Sequence, residues 1–391
     1  MPAFDVAIAG GGLIGTSIAL ELALAKLRVI VLDKQEPGRE ASWAAAGMLS
    51  PGPDSRRALP LVPLGKESLR RYPDFVAQIE SISGQRIPYD SNGTLELFFG
   101  ASAVSHRDQL LRQHAALGLG AEAISLAAAR DLEPSIGSEV GAIAWLPNEQ
   151  TIEPRALVPA VIAACKRSGV EFRSSRPVTS LMINGTSCDG VTAGGEDITA
   201  RYVVIAAGGF CGEIENGAGR STRIIANLAP THPVRGQMLA LRHTNVHLTR
   251  VLRSERAYLV PRLDGRLIAG STLENAGFDK RVTPEGMRKI LDGVREMVPA
   301  LHDSEIVESW AGLRPGTPDE LPIIGKTSAE GLLIATGHYR NGVLLAPATA
   351  AIIRDLIVSG KPNFAIEPFS PLRFALEQTP SEAPQRASAS D

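Results

Sequence analysis

A glycine-rich turn near the start of the chain constrains the fold more than any other feature. It follows the apolar run of residues 4–9 and carries Gly10, Gly12 and Gly15. Gly10 permits a tight turn, Gly12 leaves room for a pyrophosphate near the backbone, and Gly15 lets a helix pack closely on the strand. A second apolar run ends in Asp33, whose carboxylate is placed to accept hydrogen bonds from ribose hydroxyls. This order predicts a βαβ unit that binds a dinucleotide, with the phosphates at the helix N-terminus.

Two questions stay open on this motif alone. Glycine-rich turns also occur in α/β proteins that bind no nucleotide, although the acid in register favours nucleotide binding. The motif also does not distinguish FAD from NAD. The small residues of segment 38–51 allow two interpretations as well. They form a helix favoured by alanine propensity, or they let a flat ring and a phosphate chain lie against the backbone.

Composition sets the broad class of the protein. The chain has 391 residues, enough for two domains, and 44% of them are hydrophobic, enough for a large core. A net charge of −2 argues against a broad nucleic-acid-binding surface. The three cysteines, Cys165, Cys188 and Cys211, have no metal-binding or C-x-x-C spacing, so we expect no metal site. We also expect the protein to be located in a reducing cytoplasm. No apolar run reaches the length of a membrane span, and the N-terminus lacks the basic region of a signal peptide.

Hydrophobic periodicity predicts alternating helices and strands along the chain. The predicted helices are 65–83, 103–118, 126–131, 153–167, 283–297 and 348–358, and the predicted strands are 93–99, 141–146, 170–173, 177–183, 202–209, 237–241, 257–261, 266–270 and 332–336. Their order predicts two interleaved domains. The nucleotide-binding domain comprises residues 1–87, 150–230 and 313–375, and the substrate-binding domain comprises residues 88–149 and 231–312. The tail 377–391, rich in Ser, Ala, Pro and Gln, is predicted to be disordered.

Five further segments, in a fixed order, carry a family resemblance. They are residues 10–15, 44–49, 257–262, 310–317 and 337–347. The most specific are the Trp-Ala-Gly-Leu-Arg-Pro and Gly-His-x-Arg-Asn-Gly sequences in the last two. Together the segments resemble the glycine oxidase (ThiO) branch of the D-amino-acid oxidase family of flavoproteins. The resemblance implies an α/β fold, in which a glutathione-reductase-type, FAD-binding Rossmann-like domain is interleaved with an antiparallel-sheet substrate domain.

The resemblance also implies FAD rather than NAD, and it assigns cofactor contacts. The phosphates fall on Leu13 and Ile14, the ribose on Asp33 and Lys34, and the adenine on the backbone of Val178. Covalent attachment is not expected, because no cysteine lies near the C-terminal segment where monomeric sarcosine oxidases attach their flavin. The full set of cofactor residues implied is Gly10, Gly12, Leu13, Ile14, Gly15, Asp33, Lys34, Ala41, Ser42, Ala46, Gly47, Met48, Val178, His338, Tyr339, Arg340, Asn341, Gly342, Val343 and Leu344.

Four residues form the catalytic set implied by the resemblance: Arg314, Tyr258, Arg340 and Met48. A guanidinium suits a substrate carboxylate because its planar fork donates two parallel hydrogen bonds. Each assignment has an ordinary alternative: an interdomain salt bridge for Arg314, a half-buried strand tyrosine for Tyr258, and a phosphate counter-ion for Arg340. His338 is expected to support the flavin through its backbone rather than to act as a base.

The implied reaction is oxidation of glycine, sarcosine and small D-amino acids. A hydride passes from Cα to flavin N5 without a dedicated general base, and oxygen is reduced to hydrogen peroxide. The family uses this reaction in thiamine thiazole biosynthesis and forms homotetramers. Two positions depart from the family pattern: Arg256 replaces a histidine and Leu273 replaces a methionine. Two other hypotheses are a D-amino-acid or glycine dehydrogenase that reduces a quinone, and a flavin-binding module without turnover.

Overall fold

The computed structural model describes residues 2–216 and 227–374, so the predicted disordered tail, residues 377–391, lies outside the described residues. The helices are α1 (Leu13–Leu24), α2 (Ala41–Ala44), α3 (Val62–Ser83), α4 (Ala103–Ala116), α5 (Leu126–Leu132), α6 (Pro154–Arg167), α7 (Pro284–Met297) and α8 (Gly342–Val358). The strands are β1 (Phe4–Ala9), β2 (Val29–Leu32), β3 (Met48–Leu49), β4 (Tyr89–Asp90), β5 (Thr94–Phe99), β6 (Glu122–Ile124), β7 (Val140–Leu146), β8 (Gln150–Ile152), β9 (Glu171–Arg173), β10 (Val178–Asn184), β11 (Ser187–Ala193), β12 (Glu196–Ile205), β13 (Glu215–Asn216), β14 (His232–Arg242), β15 (Val251–Arg253), β16 (Tyr258–Pro261), β17 (Leu267–Gly270), β18 (Glu305–Gly316), β19 (Ile323–Lys326) and β20 (Leu332–Thr336).

A mostly parallel sheet contains the glycine-rich turn. Its strands follow the order β13-β10-β11-β12-β1-β2-β9, and β20 pairs with the end of β12 and carries β19 at its edge. Strands β20, β12, β1, β2 and β9 run parallel to one another, whereas β11 and β19 pair with β12 and β20 antiparallel. Such strands are covered on both faces, which explains why β1 and β2 are almost uniformly apolar. Helices α1, α3, α6 and α8 cover one face, and the β10–β12 meander packs toward the other.

A second sheet is built mainly from antiparallel strands, in the order β18-β14-β17-β16-β15-β5-β7-β6. Helix α7 packs on one face through Ile290, Val294 and Met297. On another side, Met238 and Tyr258 join a small apolar cluster with Ala46. A short third sheet, β3-β8-β4, pairs Met48 with Thr151. The two predicted sheet types are therefore both present, while the predicted domain boundaries stay a prediction.

The last helix begins six residues earlier than the sequence predicts, at Gly342 rather than residue 348. Pro347 lies inside it and has no N–H to donate to the carbonyl of Val343, four residues back. The Tyr72 hydroxyl donates to that carbonyl instead, at 2.5 Å. Ser68 Oγ likewise donates to the next carbonyl, that of Leu344, at 2.6 Å. Helix α3 thus supplies the hydrogen bonds that let α8 continue through a proline.

The three cysteines are unpaired and fully buried. Burial raises the pKa of Cys188 and of Cys211 to about 11, and it also raises the pKa of Cys165. Within residues 2–216 and 227–374, no helix is long and apolar enough to cross a membrane. The same residues contain no cluster of side chains suited to hold a metal ion.

Candidate functional site

A long cleft follows the edge of the first sheet where the parallel strands end. The last residues of β1, β2 and β20, and Ala206 just after β12, line a cavity of about 250 Å³. The carboxyl ends of parallel strands are the usual place for a ligand in such sheets. Of the predicted site residues, those lining the cleft are Gly10, Gly12, Leu13, Ile14, Asp33, Lys34, Ala41, Ser42, Ala46, Gly47, Met48, Val178, Tyr258, Arg314, His338, Tyr339, Arg340, Gly342 and Val343. The predicted residues outside the lining are Gly15, Asn341 and Leu344.

The three glycines of the turn are required for different reasons. Gly10 has φ +108°, and a Cβ there would lie 2.9 Å from Cα of Ala207. A Cβ on Gly15 would lie 3.2 Å from the carbonyl carbon of Gly10, so the helix and the turn are in close contact. The nearest atom to a Cβ on Gly12 is Ser42 Oγ, at an ordinary 3.5 Å. Protein packing does not require Gly12 to be glycine, which fits a position kept open for a ligand.

Asp33, which was predicted to accept hydrogen bonds from ribose hydroxyls, also holds the glycine-rich turn in place. Its Oδ2 accepts a hydrogen bond from the Gly11 N–H at 2.7 Å, and its Oδ1 accepts from the Gln35 N–H at 3.0 Å. Burial is the main reason that the pKa of Asp33 lies above its ordinary value. The Leu13 N–H, predicted to bind phosphate, donates to Ser42 Oγ at 2.9 Å. Ser42 therefore ties the segment after β2 to the start of α1.

A loop that follows β17, which the sequence did not predict, packs against residues that line the cleft. We call residues 274–281 the clasp. Its Phe278 stacks on Phe210, with the ring centroids 4.9 Å apart, and Lys34 Nζ lies 3.0 Å from the centre of the Phe210 ring. Its Lys280 pairs with Glu40 at 2.7 Å. Phe210, Lys34 and Glu40 all line the cleft.

The clasp is anchored to β14 by Arg235. The guanidinium is 2.5 Å from a carboxylate oxygen of Glu274 and 3.1 Å from one of Asp279. The backbones of Arg235 and Glu274 also exchange two hydrogen bonds, of 2.9 and 3.0 Å. Gln237 donates to the other Glu274 oxygen at 2.7 Å. The positive charge of Arg235 is therefore neutralised within the protein.

Arg314 lies at the other end of the cleft and has no such partner. Its Nη2 donates to Ser271 Oγ at 2.7 Å, and its Nη1 donates to the Thr272 carbonyl at 3.2 Å. No carboxylate of the described ranges forms an ion pair with it, although it is half-buried in the cleft wall. Desolvation lowers the pKa of Arg314, and the nearby charge of Arg340 adds to that effect. A guanidinium stays protonated in proteins, so this position favours an anionic ligand.

Tyr258 stands beside Arg314, and its position depends on β17. The phenol is 7% exposed and its hydroxyl is 3.2 Å from Met238 Sδ. A Cβ on Gly270, the residue opposite in β17, would lie 2.6 Å from the hydroxyl oxygen. Met238 and Tyr258 both line the cleft. The structure therefore brings together Arg314 and Tyr258, which are distant in sequence.

The turn between β20 and α8 closes the same end of the cleft. Tyr339 adopts φ +48° and donates its backbone N–H to the Pro315 carbonyl at 3.0 Å, which ties the turn to β18. Arg340 is exposed and lies 3.3 Å from Asp54. His338 Nε2 is 3.0 Å from the Thr349 hydroxyl, and burial lowers the pKa of His338 to about 3. His338 is therefore neutral at ordinary pH.

The two positions that depart from the family pattern lie elsewhere. Leu273 is 61% exposed, and Arg256 lies 3.6 Å from Glu296. Both line a second cavity of about 280 Å³ on the α7 side, which shares Ser271 with the main cleft. Neither side chain lines the main cleft.

The family described as DAO, FAD dependent oxidoreductase, matches residues 5–356. The glycine oxidase of Bacillus licheniformis is 31% identical over 356 residues, which cover 91% of this chain and 93% of that protein. The bifunctional protein ThiO/ThiG of Synechocystis sp. is 35% identical over 96% of this chain, which spans only 55% of that longer protein. The crystal structure of glycine oxidase from Geobacillus kaustophilus has a TM-score of 0.88, with 28% identity, 95% of this chain covered and 98% of that one. These matches confirm the predicted resemblance and fold class.

Proposed function

The chain belongs to the family of FAD dependent oxidoreductases, and from that premise we propose that it oxidatively deaminates glycine and other small amines, including sarcosine and small D-amino acids. The observation that carries the proposal is Arg314, a half-buried guanidinium that lines the cleft and has no carboxylate partner within residues 2–216 and 227–374. An amino acid supplies that carboxylate. The similarity to glycine oxidases over most of the chain supports the same substrate class.

The cleft suits FAD, which is the cofactor of this family. Gly12 leaves space beside the turn, and Asp33 reaches the cleft at the end of β2. We propose that these residues hold the phosphates and the ribose, with Val178 at the adenine and the turn 338–344 at the flavin. The remaining cofactor assignments made from the sequence are part of the same proposal. No cysteine lines the cleft, which supports non-covalent binding.

The roles of the protein residues follow from their positions. When bound, FAD would supply the oxidising chemistry: it would accept the hydride that the substrate Cα loses as the amine becomes an imine, and oxygen would then be reduced to hydrogen peroxide. Arg314 binds the substrate carboxylate through two parallel hydrogen bonds, and the Tyr258 hydroxyl faces the same carboxylate. Met48 forms the wall of the cleft near the reacting carbon, and Arg340 contacts the substrate from the turn after β20. Together they fix the orientation of Cα, which is the main contribution of the protein.

No side chain is needed as a general base in this proposal. His338 is the histidine in the cleft wall, and its pKa of about 3 leaves it neutral and bonded to Thr349. The substrate reacts as the neutral amine, and the imine product hydrolyses in water to an oxo acid and ammonia. The rate should therefore follow the titration of the substrate amine rather than that of a histidine.

The first test is to add glycine to the FAD-loaded protein and measure hydrogen peroxide. Sarcosine and D-alanine extend the panel. If none of the three yields peroxide in air, the oxidase proposal is wrong. The same panel is then run without oxygen, following the bleaching of flavin absorbance. Bleaching without peroxide, together with faster turnover on an artificial acceptor, would identify a dehydrogenase that reduces a quinone. Flavin that no amino acid bleaches would identify a binding module without turnover.

The proposal has a wider part that follows from the similarity to ThiO proteins. The product imine of glycine supplies the thiazole half of thiamine, in the cytoplasm, and the enzyme assembles as a homotetramer. Rescue of a thiazole-requiring bacterial strain tests the first point, and sedimentation of the purified protein tests the last. The division into an FAD domain (residues 1–87, 150–230 and 313–375) and a substrate domain is tested by limited proteolysis with and without FAD.

A further inference from the structure

We propose that Ser271 and Gly236 are positioning residues, which set the affinity for the substrate carboxylate by holding the Arg314 guanidinium in place with neutral groups only. The inference rests on the proposed function, because it takes Arg314 to be the carboxylate-binding residue. Ser271 and Gly236 both line the cleft, and neither was predicted from the sequence.

Gly236 provides the surface on which the guanidinium lies. It is a residue of β14, paired with Gly312 of β18, two residues before Arg314. A Cβ on Gly236 would lie 2.5 Å from Cζ of Arg314, far inside van der Waals contact. Gly236 does not have a positive φ, so its backbone conformation is open to any residue. The need for glycine here therefore comes from the guanidinium and not from the strand.

Ser271 fixes the guanidinium from another direction. Its Oγ accepts from Nη2 at 2.7 Å, while the Thr272 carbonyl accepts from Nη1 at 3.2 Å. A guanidinium has five N–H donors, so one N–H on each terminal nitrogen remains for a ligand. A carboxylate needs two such parallel donors for bidentate binding. The two protein acceptors thus orient the fork and leave a matching pair of donors.

The chemical nature of these acceptors is as important as their position. A hydroxyl and a carbonyl carry no net charge, so they orient Arg314 without neutralising it. A carboxylate at position 271 would form an ion pair with Arg314 inside the protein and compete with the substrate. The arrangement therefore predicts that charge, and not only size, at position 271 controls binding of an anionic ligand.

The experiment is a series of variants at Ser271, measured as FAD-loaded protein. Acetate, an unreactive carboxylate, is titrated while flavin absorbance is followed, and kcat and KM for glycine are measured separately. Ser271→Thr keeps the hydroxyl and should stay within about 2-fold of the parent in acetate Kd. Ser271→Ala should raise Kd and KM about 10-fold, since it removes a hydrogen bond to a charged group. Ser271→Asp should raise them by more than about 100-fold, while kcat for Ser271→Ala changes less than about 3-fold.

Gly236→Ala tests the other half of the proposal, with Gly212→Ala as its matched control. A Cβ on Gly212 meets no atom within 4 Å, and Gly212 does not have a positive φ. Gly236→Ala should raise the acetate Kd at least about 10-fold by displacing the guanidinium, and Gly212→Ala should leave it unchanged. Retained flavin absorbance in each variant shows that the protein is folded and loaded.

The outcomes separate this inference from the proposed function. A parent protein that neither binds acetate nor oxidises glycine would contradict the proposed function itself. A parent protein that does both, with Ser271→Ala and Ser271→Asp binding acetate equally well, would overturn the inference alone. If Gly236→Ala fails to fold, Thr and Ala at position 271 still decide the question, because a purely steric role would make the larger Thr worse than Ala, whereas loss of the hydroxyl makes Ala worse than Thr.

Discussion

Two arginines on neighbouring strands of the second sheet differ in the charge of the groups that they contact. Arg235 in β14 and Arg314 in β18 lie one register step apart, since Arg235 pairs with Leu313 and Val234 pairs with Arg314. Arg235 is bound by two carboxylates, from Glu274 and Asp279. Among the residues that the structure describes, Arg314 donates to the Ser271 hydroxyl and the Thr272 carbonyl and forms no ion pair with a carboxylate. Both residues are arginines and both are largely removed from solvent. The comparison therefore teaches that the groups around a buried or half-buried cation, and not its residue type or burial, indicate its role.

The physical reason is that neither guanidinium can lose its proton. A desolvated positive charge is costly unless an anion balances it. Arg235 forms ion pairs with carboxylates of the clasp, and so it holds that loop against β14 of the second sheet. Under the proposed function, the anion that balances Arg314 is the substrate carboxylate. The predictions below test this distinction, from the largest expected effect to the smallest.

Replacing Arg314 should abolish substrate recognition. Arg314→Met removes both donors of the bidentate pair, and we expect kcat/KM for glycine to fall by about 1,000-fold, or about 4 kcal/mol. Arg314→Lys should recover only part of this loss, because an ammonium cannot donate the same parallel pair. Steady-state kinetics on FAD-loaded protein measures the effect. Unchanged kcat/KM in Arg314→Met would show that Arg314 is not the carboxylate-binding residue.

Replacing Arg235 should affect stability instead of recognition. Arg235→Met leaves Glu274 without its cation, while Asp279 keeps its pair with Arg281. We expect the free energy of unfolding to fall by about 3 kcal/mol. The partial exposure of both carboxylates keeps this at the low end. Urea denaturation measures the loss. KM for glycine should change less than about 2-fold, and a large rise in KM would erase the distinction between the two arginines.

His338 extends the comparison to a buried base that can lose its proton. It avoids the cost of a buried positive charge by staying neutral. Its pKa falls from 6.5 in the unfolded chain to about 3, so below pH 6.5 the unfolded state binds one more proton. Stability should therefore fall as the pH drops from 6.5 toward 3, by up to about 1.4 kcal/mol per pH unit from this group. Unfolding of the parent and of His338→Gln is compared at several pH values. Equal slopes for the two proteins would contradict a neutral His338.

The clasp provides the smallest of the four effects. Lys280→Ala removes the ion pair between the clasp and Glu40 of the cleft wall. Arg281→Ala is the control, since the ion-pair partner of Arg281 among the described residues is Asp279, within the clasp. Partly exposed pairs contribute about 1 kcal/mol or less, so FAD should dissociate up to about 5-fold faster from Lys280→Ala. Flavin fluorescence after dilution measures the rate. The same rate in both variants would mean that the clasp does not retain the cofactor.

The sequence predicted the parts of this molecule that depend on local pattern. The glycine turn, the parallel strands and the second sheet follow from periodicity and spacing over short windows. The ends of the cleft do not. Ser271 is 43 residues from Arg314, and Phe210 is 68 residues from Phe278. No pattern within a short stretch of sequence relates residues so far apart. The contacts that hold Arg314 and the contacts of the clasp were therefore not predicted.

Helix α8 was mispredicted for a related reason. Proline disfavours the interior of a helix because it has no N–H to donate, and Pro347 lies just before the predicted start at residue 348. Tyr72 and Ser68 lie far away in sequence and supply hydroxyl donors to the carbonyls that the proline affects. A tertiary contact therefore overrode a correct local rule, and the N-terminus of the helix moved to Gly342, beside the cleft.

The burial of the three cysteines has a consequence for durability. Peroxide attacks the thiolate form of cysteine, and here burial both raises the thiol pKa and blocks access. Under the proposed function, hydrogen peroxide is released at every turnover, and the native fold exposes none of the three thiols to it. Burial would then protect the thiols during catalysis, and unfolding would be the event that leaves them vulnerable.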